Sequence, residues 1–390
     1  MTMLIDLPVL TSTSSGWRIE VRCEGDCPSS IWYEGDGPVP DIQLVGAAFL
    51  LPAAMRAMHV SARLEFRPPI SELFAHRLKS AVLPLLASFA PDLFFKPPEL
   101  RFVNVVSLQP QGEAGAATGM SCGLDSLASA RELSALPEKH ACRLRLLSHF
   151  DTGNHDALHT GDPERLRAPR TARARACASA IGVPLTSIKS NIADWIPGDF
   201  ARLHTVRNLA AAHLLAGSVR HYFYANGVRI SQTTVKARDT AYIDSVLVPL
   251  LSTETLQFHQ STPDCGAPQK VEMIADWDIA HRFLNVCYFE DTNCGECEKC
   301  LRRMLLLDAA GALDKFGSVF PFGALERQRD WYLGFILGRS ASGPVYQEVV
   351  DYLRVKHYPY LRPIRNRAAW FMRRLQNRGL RLIGRSRRPL

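Results

Sequence analysis

Cys287, Cys294, Cys297 and Cys300 place four thiols within 14 residues. Thiolates at such short spacing can wrap one tetrahedral Zn²⁺, and Gly295 permits the tight turn between ligands. Short Cys-x2-Cys runs also suit an iron–sulfur cluster, the alternative metal group here. A closed four-cysteine zinc site would be structural. A second stretch is Met120-Ser121-Cys122-Gly123-Leu124-Asp125-Ser126-Leu127. It reads as a tight loop between a strand and a helix, with Asp125 or Ser126 near the helix N-terminus. Unpaired N–H groups and the positive dipole end at such a terminus favour an anion such as phosphate. A plain Ser/Asp helix cap is the competing reading.

The elements around this loop alternate. Residues 116–120 form a short, weakly hydrophobic strand before it. Residues 143–150 and 185–191 are further strands, 170–181 a helix ending at Gly182, 200–215 an alanine-rich helix, and 221–225 a strand. This alternation predicts a parallel sheet covered by helices, with ligands at the carboxyl ends of the strands. Residues 1–112 read as an N-terminal α+β accessory domain. Its strands are 17–23, 60–66 and 100–106. A buried helix over 45–58 is expected to break near Pro52, and a second helix opens at Ser71 and runs to about Phe89. Residues 110–115 form a linker. His149, His155 and His159 are expected on a loop without defining a metal site, and Cys23 and Cys27 are expected as ordinary thiols.

Apolar residues are 47% of the chain and charged residues 22%, proportions of a globular protein rather than of a disordered one. No apolar run approaches the roughly 20 residues that span a bilayer, and no signal pattern is seen, so the expected location is cytoplasmic. The ten cysteines in such a setting point to metal rather than disulfides. The net charge of +8 is local: residues 361–390 hold ten arginines and no acid, leaving 36 basic against 38 acidic residues elsewhere. The remainder is therefore near neutral, which argues against a nucleic-acid-binding body.

The Ser121–Ser126 loop resembles the Ser-Gly-Gly-x-Asp-Ser loop of the PP-loop ATP pyrophosphatases, with Cys122 where that family has glycine. Cys287-Tyr288, then Cys294-Gly295-Glu296-Cys297-Glu298-Lys299-Cys300 and Arg302, resemble the zinc knuckle of the 7-cyano-7-deazaguanine synthases. Arg207-Asn208 and Lys270-Val271-Glu272-Met273-Ile274 resemble further segments of these enzymes. The likeness covers roughly residues 115–312. The chain is also similar to a subgroup of PP-loop proteins with an extra N-terminal domain and a segment like residues 244–254. The acidic, tyrosine- and proline-containing substrate segment of the deazaguanine enzymes is not visible around 236–249. The resemblance therefore implies a type of chemistry without naming the acceptor.

The resemblance implies a Rossmann-like parallel sheet with helices on both faces, spanning 113–285, then a knuckle and helical lobe over 286–360. It implies ATP-dependent adenylation of a carboxylate or amide oxygen, with release of pyrophosphate. An amine, ammonia or sulfur nucleophile then displaces AMP, as in a C–N bond-forming ligase. Ser121, Cys122, Gly123, Leu124, Asp125, Ser126, Phe150 and Asn208 are the implied nucleotide contacts. Asp125, Ser126, Lys270 and Arg207 are the implied catalytic groups, Mg²⁺ the phosphate partner, and Cys287, Cys294, Cys297 and Cys300 the zinc ligands. The substrate is a small molecule or is carrier-bound, and a homodimer is one option for assembly. Two alternatives stand beside this reading: a tRNA-modifying sulfurtransferase of the PP-loop class, and a nucleotide-binding partner protein without turnover. Residues 361–390 form a basic amphipathic tail. Ile364, Ala368, Phe371, Leu375 and Leu382 fall on one helical face, which suits an anionic membrane surface, RNA, or docking on the protein itself.

Overall fold

The computed structural model describes residues 2–109, 115–154, 164–236 and 238–382. Residues 110–114, where the linker is expected, and His155 and His159 lie outside the described residues. The chain is α/β. Its strands are β1 (Thr2–Ile5), β2 (Val9–Thr13), β3 (Gly16–Glu24), β4 (Ser30–Gly35), β5 (Arg63–Phe66), β6 (Ile70–Ser71), β7 (Leu100–Phe102), β8 (Val105–Val106), β9 (Ala116–Gly119), β10 (Leu144–Asp151), β11 (Leu185–Ser190), β12 (His221–Ala225) and β13 (Gln257–Ser261). Two compact units are present: Met1–Met120 with Glu132–Asp264, and Ser121–Arg131 with Cys265–Leu390.

The first unit carries a mixed sheet in the order β13-β12-β9-β10-β11-β4-β3-β1-β5-β7, with β2 paired to β3. β13, β12, β9, β10 and β11 are mutually parallel. Helix Glu164–Ile181 lies in the crossover between the parallel neighbours β10 and β11, and Phe200–Ala212 lies in the longer connection from β11 to β12. β9 is short and built of small residues, yet it is central. Ala116, Ala117 and Thr118 are buried, and a side chain on Gly119 would stand 3.3 Å from the Tyr222 hydroxyl. At β11 the sheet changes sense: Ile188 faces Gly35 and Lys189 faces Glu34 on antiparallel β4. Strands from residues 1–112 thus extend the same sheet.

Three local expectations need correction. The helix Gly46–His59 does not break at Pro52. Proline removes the N–H that would bond to the Ala48 carbonyl, and the Tyr33 hydroxyl donates to that carbonyl instead, at 2.6 Å. The expected strand 100–106 is split: β7 pairs with β5, whereas β8 pairs with β6 in a separate small sheet. His149 is not a loop residue; it is buried in β10, with Nδ1 at 2.9 Å from the Met120 carbonyl. Ser71 does cap the next helix, accepting the Phe74 N–H at 3.0 Å.

The segment 244–254 has a structural task in this unit. The Glu254 carboxylate accepts the Leu73 N–H at 3.0 Å and the Ser71 hydroxyl. Arg77 in turn donates to the Ser252 carbonyl at 3.2 Å. The segment therefore holds the 70–77 region by both helix end and side chain.

The second unit is helical. It contains helices Ala267–Ile274, Asp278–Phe283, Glu298–Ala309, Arg329–Arg339, Pro344–Val355 and Pro363–Leu382, and the first turns of Leu124–Ser134. Among the described residues, no helix is long and apolar enough to cross a membrane.

Candidate functional site

Cys122 has φ +59°, in the left-handed region that L side chains avoid and glycine enters freely. The position is thus glycine-like in backbone although it carries a thiol. That thiol is buried, and the Cys122 carbonyl accepts the Asn285 N–H at 2.8 Å. The turn is closed by the two serines. The Ser126 hydroxyl donates to the Gly123 carbonyl at 3.0 Å and accepts the Ser121 N–H at 3.3 Å. The Ser121 hydroxyl accepts the Gly123 N–H at 3.3 Å. Leu127 bonds back to the Gly123 carbonyl at 3.0 Å, so helix Leu124–Ser134 starts directly after the turn.

Asp125 stands in the first turn of that helix, and Lys270 Nζ donates to its Oδ1 at 2.7 Å. The lysine side chain is 1% exposed and the aspartate 38% exposed. Burial pushes the Asp125 pKa up, but the charges of Lys270, Arg303 and Lys299 more than offset this and hold it below the usual carboxylate range. Lys270 is carried by Ala267–Ile274, whose N-cap Gly266 leaves room for the Glu348 carboxylate at the helix end. Arg303 is 6% exposed, and its Nε and Nη1 have no hydrogen-bond partner among the described residues. Burial and the neighbouring Arg302 draw its pKa down to about 10, so it stays cationic at neutral pH. Lys270 and Arg303 thus place two buried cations near Asp125 and a helix N-terminus, with Glu298 as a second carboxylate acting on Arg303, a setting that favours an anion.

Arg303 was missed by sequence reasoning, which singled out Arg302. A signal was present. Cys300, Arg303, Met304 and Leu307 recur at three- and four-residue spacing, the buried face of helix Glu298–Ala309.

The four cysteines are brought together. Their sulfurs all lie within 4.8 Å of one another, and those of Cys294 and Cys300 are 4.0 Å apart. A tetrahedron with Zn–S bonds of about 2.3 Å has edges of about 3.8 Å, so the cluster can hold one metal ion such as zinc. Backbone N–H groups point at the sulfurs: Cys297 N donates to Cys294 Sγ at 3.3 Å, and Cys300 N to Cys297 Sγ at 3.5 Å. Such donors favour the thiolate form that binds metal. Hydrogen bonding with the other three sulfurs lowers the Cys287 pKa. Gly295 has φ +70°, and a side chain there would come within 2.9 Å of Ala324. Asn293 braces the turn by accepting the Val286 N–H and donating to the Leu284 and Val319 carbonyls.

Phe150, Arg207 and Asn208 belong to the first unit. Phe150 stacks on Tyr222, ring centroids 6.1 Å apart. Arg207 is buried and donates to the Ile196 and Gly198 carbonyls at 2.9 and 2.7 Å. Asn208 accepts the Thr152 hydroxyl at 2.9 Å and donates to the Tyr224 hydroxyl at 3.4 Å. That phenol also contacts His204 Nδ1 at 2.7 Å, and His204 Nε2 lies 3.0 Å from Asp239. Burial pulls the His204 pKa down, while Asp239 and Asp244 more than offset it and leave it raised. This line of groups can relay a proton between a carboxylate and a phenol. It escaped sequence reading because Asp239 is 35 residues from His204.

Comparison with protein-family models, curated proteins and solved structures finds no match to this chain. The class defined by the geometry is an α/β protein with a mixed, largely parallel sheet, a C-terminal helical region, and a four-cysteine cluster able to hold a metal ion.

Proposed function

We propose that this chain is an ATP-dependent adenylating enzyme of the PP-loop type, resembling the 7-cyano-7-deazaguanine synthases in its chemistry. The observation that carries the reading is the Ser121–Ser126 turn. It has a left-handed residue at the glycine position and leads into a helix N-terminus flanked by buried Lys270 and Arg303. In this reading the first-turn N–H groups and the Ser121 hydroxyl hold the β- and γ-phosphates of ATP. Lys270 and Arg303 offset the phosphate charge, and Asp125 keeps Lys270 aimed at the turn. Mg²⁺ bound with the nucleotide would supply further charge neutralisation.

A carboxylate or amide oxygen of the substrate attacks the α-phosphorus. The bond to the β-phosphate oxygen breaks, and pyrophosphate leaves with the electron pair. An amine, ammonia or sulfur nucleophile then attacks the activated carbon, loses its proton, and expels AMP. The chain's own contribution is positioning and charge stabilisation. Zinc at the four cysteines serves as a structural tie. The buried Cys122 thiol gives no support to covalent sulfur transfer from this loop.

Equilibrium binding of ATP to the purified chain tests the reading. Arg303→Gln and Lys270→Gln are each expected to weaken ATP by about tenfold or more, since charge-assisted hydrogen bonds contribute roughly 1.5–3 kcal/mol. Undiminished affinity in both folded variants would overturn the assignment of the phosphates to this turn.

A further inference from the structure

The C-terminal helix Pro363–Leu382 packs on helix Arg329–Arg339 through one face only. Asn366 is fully buried, accepting the Arg362 N–H at 2.6 Å and donating to Asp330 at 3.4 Å. Gly334 and Gly338 make room for it: a side chain at Gly338 would meet the Trp370 ring at 2.9 Å, and one at Gly334 would collide with the Asn366 carbonyl. Arg373 lies over Trp331, 5.3 Å from the ring centroid. The docked edge is thus Asn366, Trp370 and Arg373.

The apolar stripe legible in the sequence is not the docked edge. Ile364 is 89% exposed, Phe371 59%, Met372 56% and Leu375 45%. At about 100° per residue these four fall within one sector of roughly 100°. Arg367 and Arg374 border it on one side and Arg365 on the other, all three exposed. Residues 361–390 hold ten arginines and no acidic residue. The helix is therefore anchored by its polar and tryptophan edge while an aliphatic and aromatic stripe, flanked by guanidinium groups, faces outward.

We propose that this face is a docking surface for an anionic lipid bilayer. The helix lies in the headgroup plane, with Ile364, Phe371, Met372 and Leu375 entering the acyl boundary and the bordering arginines on lipid phosphates. Charge complementarity selects an anionic surface, and the exposed aliphatic side chains select a bilayer over a nucleic acid, whose bases are gripped by stacking and hydrogen bonds.

The test is vesicle flotation of the full chain. Vesicles of phosphatidylcholine with phosphatidylglycerol are compared with phosphatidylcholine alone and with a labelled single-stranded RNA. The double variants Phe371→Ser/Leu375→Ser and Arg367→Glu/Arg374→Glu change exposed side chains, and unchanged melting verifies their fold. The wild type is expected to float with the anionic vesicles and not with the neutral ones. Each variant is expected to lose about tenfold or more of that binding. Failure to float, or flotation undiminished by Phe371→Ser/Leu375→Ser, would overturn the proposal. So would RNA binding without vesicle binding, which would reassign the face to nucleic acid.

Discussion

Cys122 holds a conformation that a glycine would hold without strain, and the loop around it is fastened by Ser121, Ser126 and Asn285. The left-handed geometry costs a non-glycine residue roughly 1–2 kcal/mol, and a β-branched side chain more. Cys122→Gly is therefore expected to keep both melting temperature and ATP affinity close to wild type. Cys122→Val is expected to lower stability by about 2 kcal/mol or more and to weaken ATP, as read by thermal melts and titration. Equal behaviour of the two variants would show that the turn does not depend on this backbone angle. The loop and the four cysteines were legible because their meaning lies in spacing of a few residues. Arg303 was legible only through the buried face it shares with Cys300. The His204–Asp239 pair was not legible at all, since only the fold brings its members together.

At the scale of elements, the same division holds. Ser71 as a cap and the alternation over β3 follow from local rules. Pro52 follows the local rule too, but a residue of another element cancels it. Tyr33 of β4 satisfies the carbonyl that the proline orphans, and the helix continues. Tyr33→Phe would leave the Ala48 carbonyl buried without that donor. It is expected to destabilise the chain by about 1–3 kcal/mol in denaturant titration. A loss within a few tenths of a kcal/mol would mean that the helix tolerates Pro52 by some other means. β9 illustrates a different blind spot: a central strand that must admit Tyr222 is built of alanine, threonine and glycine, so hydrophobicity alone underrates it.

Across the whole molecule, the N-terminal residues are bound into the main sheet at β4 and into its packing at His213. That side chain is fully buried between Phe74 and Phe258, with neither ring nitrogen hydrogen-bonded among the described residues. Burial lowers its pKa to about 3. The unfolded chain takes up this proton at about pH 6.5 and the folded chain does not, so the stability contribution is complete above that pH and is lost as pH falls toward 3. Between pH 7 and pH 5 the loss is expected to be about 2 kcal/mol. His213→Leu should flatten this part of the stability–pH curve, and an unchanged slope would place the acid sensitivity elsewhere. The segment 244–254, recognisable in sequence only as a motif, proves to join the same packing through Glu254.

The adenylation account is tested most directly by following ATP with the metal-analysed protein in the presence of pooled carboxylates, nucleobases and RNA. AMP and pyrophosphate formed in equal amounts with one pool, and absent in Asp125→Ala, are the predicted result, and the responsive pool gives the substrate class. ADP and phosphate as products, or equal AMP formation by Asp125→Ala, would contradict it.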